Sequence, residues 1–127
     1  MTSAAWQTRN SFQGSDFSAE METHLARLRD KFRASLVERV LAYEDMRQRL
    51  QSDQNSESAL KGIFDVSHKI SGVARTLGFP VIGELSSEIE RRIIEGLAKG
   101  GHVHAVCCDI LPVLEELLDE MEGLLDN

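Results

Sequence analysis

His68 is the residue whose surroundings in the sequence point to chemistry. Lys61, Lys69 and Arg75 lie close to it along the chain, and Gly72 follows four positions later, all in a protein whose formal charge is −7 at pH 7. A neutral imidazole, with an ordinary pKa of about 6.5, is a nucleophile at cytosolic pH. Cations beside it would stabilise a phosphoryl group carried on the ring. A glycine inside a helix costs roughly 1 kcal/mol relative to alanine, and its missing side chain leaves an open floor where a partner's backbone can approach. Each residue also has a plain reading: a half-buried or surface histidine, a packing glycine, solvated lysines and arginines. Their coincidence on one helical face makes a phosphohistidine site a coherent reading.

That face is defined by the helix that must carry it. Stepping roughly 100° per residue from Leu60, the residues Leu60, Ile63, Phe64, Ser67, Ile70, Ala74 and Leu77 form a buried stripe. Lys61, Asp65, Lys69, Gly72, Arg75 and Thr76 occupy the opposite arc, with His68 at the border. Gly78 suits the C-terminal cap and Pro80 the first turn of the next helix. That third helix buries Ile82, Leu85, Ile89, Ile93 and Leu97 and stops at Gly100 and Gly101. Upstream, Ser18 is the expected N-cap of a long first helix whose stripe runs Met21, Leu25, Leu28, Phe32, Leu36, Val40 or Leu41, Tyr43 and Leu50. Gln51–Glu57 contains no apolar residue and forms the first loop, with Asn55 or Ser56 as the next cap. The last helix carries Val106, Cys107, Ile110, Leu111, Leu114, Leu117, Leu118, Met121, Leu124 and Leu125. Pro112 either kinks it, the preferred reading, or sits in a first turn that begins near Asp109.

The spacings predict an all-α, antiparallel, up-down-up-down four-helix bundle with helices at about 19–50, 57–77, 80–98 and 103–125. Residues 18–127 form the bundle. Residues 1–17 form a flexible arm or a short extra helix that Trp6 and Phe12 pin to it. With 127 residues, 42% apolar, there is room for one domain and none for a nucleotide-binding unit beside a substrate domain. The acidic balance and the lack of any run of three basic residues argue against nucleic acid as the partner. No apolar stretch is long enough to span a membrane, and neither a leader pattern nor a disulfide pattern is present, so a cytoplasmic protein is expected; a monomer is expected as well, though no residue pattern decides it. Nucleotide loops and paired-histidine metal motifs are absent. His102 and His104 have no third ligand nearby, His24 is isolated, and Cys107 and Cys108 are read as structural.

The segment Ser67-His68-Lys69-Ile70-Ser71-Gly72-Val73-Ala74-Arg75-Thr76-Leu77-Gly78-Phe79 resembles the signature of histidine-containing phosphotransfer (HPt) domains. Ile70, Gly72, Ala74 and Gly78 follow His68 at the second, fourth, sixth and tenth positions, and the Ile89-Glu90 pair matches the later apolar-acidic pair. Two positions depart from the family pattern: Ser71 stands where many members have lysine, and Arg75 stands where many have a small residue.

The resemblance implies a four-helix bundle with the reactive histidine midway along its second helix. It implies a phosphocarrier, without autonomous ATP-dependent kinase activity, that shuttles a phosphoryl group between aspartates of receiver domains in a multistep two-component phosphorelay. His68 would be the phosphorylated nucleophile, assisted by Lys69 and Gly72. Lys61, Asp65, Lys69, Gly72, Arg75 and Thr76 would face the receiver. Response-regulator receivers and a hybrid histidine kinase would be the partners, and Mg²⁺ would sit on the receiver, with no cofactor or metal on this chain. Lys69 is expected to act on the transfer step and Arg75 on receiver affinity. The alternative is an HPt-like adaptor that binds and regulates a receiver or kinase without being phosphorylated.

Overall fold

The computed structural model describes residues 3–52 and 56–126, with side chains described from Asp16 onward. Four helices account for nearly all of it: α1 (Ser3–Gln51), α2 (Ser56–Ala74), α3 (Pro80–Ala98) and α4 (Val103–Leu125). No strand occurs among the described residues.

α1 is longer than its apolar stripe predicts. It runs 49 residues, roughly 74 Å, and passes through Ser18, which is therefore an interior residue and not a cap. The backbone of residues 3–17 continues this helix instead of forming a loose arm or a separate short helix. The sequence offers nothing to stop it, since the two prolines are Pro80 and Pro112 and the one glycine in that stretch, Gly14, costs only about 1 kcal/mol. The expected pinning role of Trp6 and Phe12 falls outside the described side chains, and Met1, Thr2 and the candidate cap Asn55 fall outside the described residues.

Contacts between successive helices run in opposite directions along the chain. Arg29 Nε donates to the carbonyl of Leu77 at 2.8 Å, and Tyr43 meets Ser67 further along α1 and earlier on the second segment. Between α2 and α3, Arg75 lies over Gly83 and His68 reaches Glu90. Between α3 and α4, Arg92 donates to the Asp109 carbonyl at 3.0 Å, and Gly96 lies against Val106. Three antiparallel neighbours in sequence make an up-down-up-down bundle.

The core is the predicted set with a few changes at its ends. Phe32, Leu36, Val40, Tyr43, Met46 and Leu50 of α1, Leu60, Ile63 and Ile70 of α2, Ile82, Ile89 and Ile93 of α3, and the Val106–Met121 stripe of α4 form one buried apolar cluster. Val40 is the buried member of its pair and Leu41 is exposed. Met21 is exposed, with Phe17 one turn before it, because this part of α1 precedes the α1 stretch that packs into the core. Leu97, expected to be buried, is 46% exposed near the α3 terminus.

The helix ends follow from their glycines. The helical bonding of α2 ends at Ala74, three residues earlier than predicted, because the next turn closes differently. Phe79 N donates to the Ala74 carbonyl at 2.8 Å and Gly78 N to that of Arg75 at 3.2 Å, with Gly78 at φ 91. This is the left-handed glycine closure of a Schellman motif. The end of α3 repeats it, with Gly100 at φ 77 and Gly101 N donating to Gly96 O at 2.9 Å. α4 begins at Val103 and runs through Pro112, which is exposed, so the alternative start near Asp109 does not hold. No helix among the described residues is long and apolar enough to cross a membrane.

Candidate functional site

The rotation of α2 is set from inside the bundle. Ser67 is fully buried, and its Oγ lies 2.8 Å from the Tyr43 hydroxyl, a polar pair within a mostly apolar core. Burial pushes the Tyr43 phenol well above its ordinary range, so it stays protonated and available as a donor. With Ser67 inward, the next residue is turned about 100° toward the α2–α3 seam. That residue is His68, whose side chain is 71% exposed.

The ring is oriented on two sides. Phe64, one turn earlier, stacks on it with the ring planes 8° apart and centroids 6.2 Å apart. Nδ1 lies 2.9 Å from Oε2 of Glu90 on α3, a carboxylate that is only 17% exposed. A carboxylate only accepts, so Nδ1 carries the proton, and in the neutral ring Nε2 then holds an unshared pair. The second oxygen of Glu90 accepts from Ser71 Oγ at 2.6 Å. Ser71 has one hydroxyl proton and a second acceptor, the His68 carbonyl, at 3.0 Å. The shorter contact to the carboxylate is the stronger of the two. Ser71 thus braces Glu90, and Glu90 braces His68.

His68, Ser71, Glu90, Arg91 and Glu95 border an open cavity of about 410 Å³ on the α2–α3 face. Outside its rim, Glu88 accepts from Arg91 at 2.6 Å and from Arg92 at 2.8 Å, and these bonds hold its carboxyl at about 2. The engagement of Arg91 by Glu88 and Glu95 raises the guanidinium pKa in turn. Beyond Phe64 and Ile94, a larger apolar groove of about 860 Å³ runs toward the start of α2, lined by Leu60, Lys61, Leu97 and Val103.

The placement of this histidine on the second helix of a four-helix bundle is matched by the sequence. The Hpt domain model matches residues 15–126. The chain belongs to the Hpt domain family. No curated protein and no solved structure matches it. Hpt domains are helical bundles that serve as phosphocarriers, not enzymes, in histidine phosphotransfer within phosphorelays, and they work with receiver domains and kinases.

Within this Hpt domain the predicted residues separate. Lys61, Asp65, Lys69, Gly72 and Thr76 are all exposed, and a Cβ built on Gly72 would meet nothing within 4 Å, so the floor beside His68 is open. Lys69 lines neither the cavity nor the groove, and Lys61 belongs to the groove. Arg75, expected to act on receiver affinity, turns away from His68. Its aliphatic stem crosses to Gly83 on α3, where a Cβ would come within 2.5 Å of Cγ, so the missing side chain of Gly83 is what accommodates it. None of the three predicted cations lines the His68 cavity.

The residues that do meet His68, namely Glu90, Ser71 and Phe64, were not among the predicted site residues. Glu90 had left a trace in the sequence as the acidic half of the Ile89-Glu90 pair. On α4, Cys107 is buried as its stripe predicts, and the exposed Cys108 Sγ lies 3.7 Å from His104 Nε2. Among the described residues no three His, Cys, Asp or Glu side chains are grouped so as to hold a metal ion.

Proposed function

We propose that His68 is the phosphoryl acceptor of this Hpt domain and that the chain shuttles phosphoryl groups between receiver-domain aspartates in a multistep two-component relay. The observation that carries the reading is the pairing of Nδ1 with Glu90 on a ring that is mostly exposed. The Nε2 pair attacks phosphorus of a receiver's aspartyl phosphate as the bond from phosphorus to the aspartyl oxygen breaks, and aspartate leaves as the carboxylate. The ring keeps its Nδ1 proton and becomes positively charged, and the Glu90 carboxylate stabilises that charge. The reverse transfer to a second receiver restores the neutral ring. In this reading Mg²⁺ belongs to the receiver, and a hybrid histidine kinase stands upstream.

Docking in this reading uses the exposed face of α2 around Gly72, where nothing obstructs a partner's backbone. Lys69, Asp65 and Thr76 border that face from the same helix and the turn that follows, and Lys61 from its start.

Incubation with a phosphorylated receiver domain tests the assignment. Wild type is expected to gain an acid-labile, alkali-stable phosphoryl group, and His68→Gln to gain none while keeping its helical circular dichroism. Labelling that persists in His68→Gln would move the acceptor elsewhere. Receiver binding without any labelling of wild type would make the chain an adaptor.

A further inference from the structure

The cavity beside His68 is lined by two carboxylates, Glu90 and Glu95, and a phosphoryl group placed on Nε2 would bring close to two further negative charges toward them. Such a group needs a cation at short range. Among the described residues that line the cavity the cation is Arg91, which directly follows Glu90 on α3. We propose that Arg91 is the residue that binds the phosphoryl group on His68, an assignment that rests on the reading of His68 as acceptor.

The guanidinium is at present held by Glu88 at 2.6 Å and by Glu95 at 3.1 Å. Both are exposed one-turn pairs on a single helix, a class of ion pair that contributes little and is readily given up. A phosphoryl group is a better partner for a planar fork of N–H donors, since it offers three oxygens, a higher charge and bidentate geometry. Exchange also leaves Glu88 with Arg92, which already donates to it at 2.8 Å. Glu88 therefore keeps one partner when Arg91 turns. Glu95 loses its arginine but is more than a third exposed and returns to water.

Competing cations are placed less well. The stem of Arg75 is committed to Gly83, roughly two turns from Glu90 along α3, and Lys61 lines the groove beyond Phe64. Lys69 is next to His68 in sequence but borders no part of the cavity.

The test uses the full chain phosphorylated with excess phosphoramidate and followed by ³¹P NMR across pH, reading the midpoint at which the phosphoryl group passes from monoanion to dianion. A nearby guanidinium favours the dianion, so Arg91→Ala is expected to raise that midpoint by about half a pH unit or more, roughly a threefold change in proton affinity. Arg91→Lys should restore part of the shift, and Arg75→Ala and Lys69→Ala should titrate as wild type does. An Arg91→Ala midpoint equal to that of wild type would overturn the assignment, as would a larger shift in Lys69→Ala or Arg75→Ala. A wild-type chain that takes no phosphoryl group, or a His68→Gln chain that takes as much, would overturn the acceptor reading itself and this assignment with it.

Discussion

Tyr43 and Ser67 meet across the α1–α2 seam with their hydroxyl oxygens 2.8 Å apart and both residues fully buried. The bond locks the rotation of α2 one residue before His68, so a core contact decides which way the His68 face looks. Removing one partner leaves the other hydroxyl buried without it. Tyr43→Phe and Ser67→Ala are each expected to lose about 1 kcal/mol in urea unfolding. The double variant should lose less than the sum, because the second substitution removes a group already orphaned by the first.

Glu90 fixes the tautomer of His68, and only the form with the proton on Nδ1 leaves Nε2 nucleophilic. Glu90→Ala is expected to populate the other tautomer, visible in ¹⁵N chemical shifts of the ring, and to slow phosphorylation by a small donor roughly tenfold, about 1.4 kcal/mol. Glu90→Gln keeps a carbonyl acceptor but loses the charge, so its rate should fall between the two. Unchanged ring shifts in Glu90→Ala would show that the tautomer is set by something else.

A substitution at Gly72 tests the proposed docking apart from the chemistry. With no atom within 4 Å of a built Cβ, Gly72→Ala should stabilise the fold by up to about 1 kcal/mol, and Gly72→Leu should fold normally. Transfer from a phosphorylated receiver should drop at least tenfold in Gly72→Leu while labelling by phosphoramidate stays at the wild-type rate. Equal losses with both donors would place the fault at the ring and not at the approach.

Glu88 is the group on this face whose titration is most displaced, from an ordinary 4.5 down to about 2 by its bonds to Arg91 and Arg92. A depressed carboxyl pKa stabilises the fold at pH values above 4.5, and that contribution disappears as pH falls toward 2. Because the cluster is exposed, the contribution is at most about 1 kcal/mol and shrinks with salt. Carboxyl ¹³C titration should show the midpoint rising part of the way back in Arg91→Ala, where Arg92 remains, and rising in wild type as ionic strength increases.

Helix boundaries were legible where the backbone carries its own punctuation. Gly78 with Pro80, and Gly100 with Gly101, placed both ends of α3 and the start of α4, because a positive φ or a missing N–H acts at a single residue. The start of α1 was not legible, since Ser18 is compatible with a cap and equally with a helix interior, and no breaker precedes it. His68 and the open floor at Gly72 could be read from one helix alone, being positions on its wheel. The partners of His68 could not. Glu90 lies 22 residues away on another helix, and the wheel of α2 says nothing about which carboxylate its neighbour presents. Arg75 shows the same limit: the wheel of α2 puts it on the exposed arc, but the small residue that receives its stem belongs to α3.

Only the residues 75–79 separate α2 from α3, and Phe64 and Glu90, the two groups that orient the His68 ring, lie on those two helices. Bringing Glu90 to His68 closes a separation of 22 residues, against 48 for the Arg29–Leu77 contact between α1 and the end of the α2 segment. The difference in loop-closure entropy is about 0.7 kcal/mol in favour of the shorter contact. The cluster around His68 is thus a low-contact-order object, a property of one helical hairpin, with α1 and α4 acting as its backing. A circular permutant opened between α3 and α4 would keep that hairpin as an unbroken piece of chain, and with it Phe64, His68, Ser71 and Glu90.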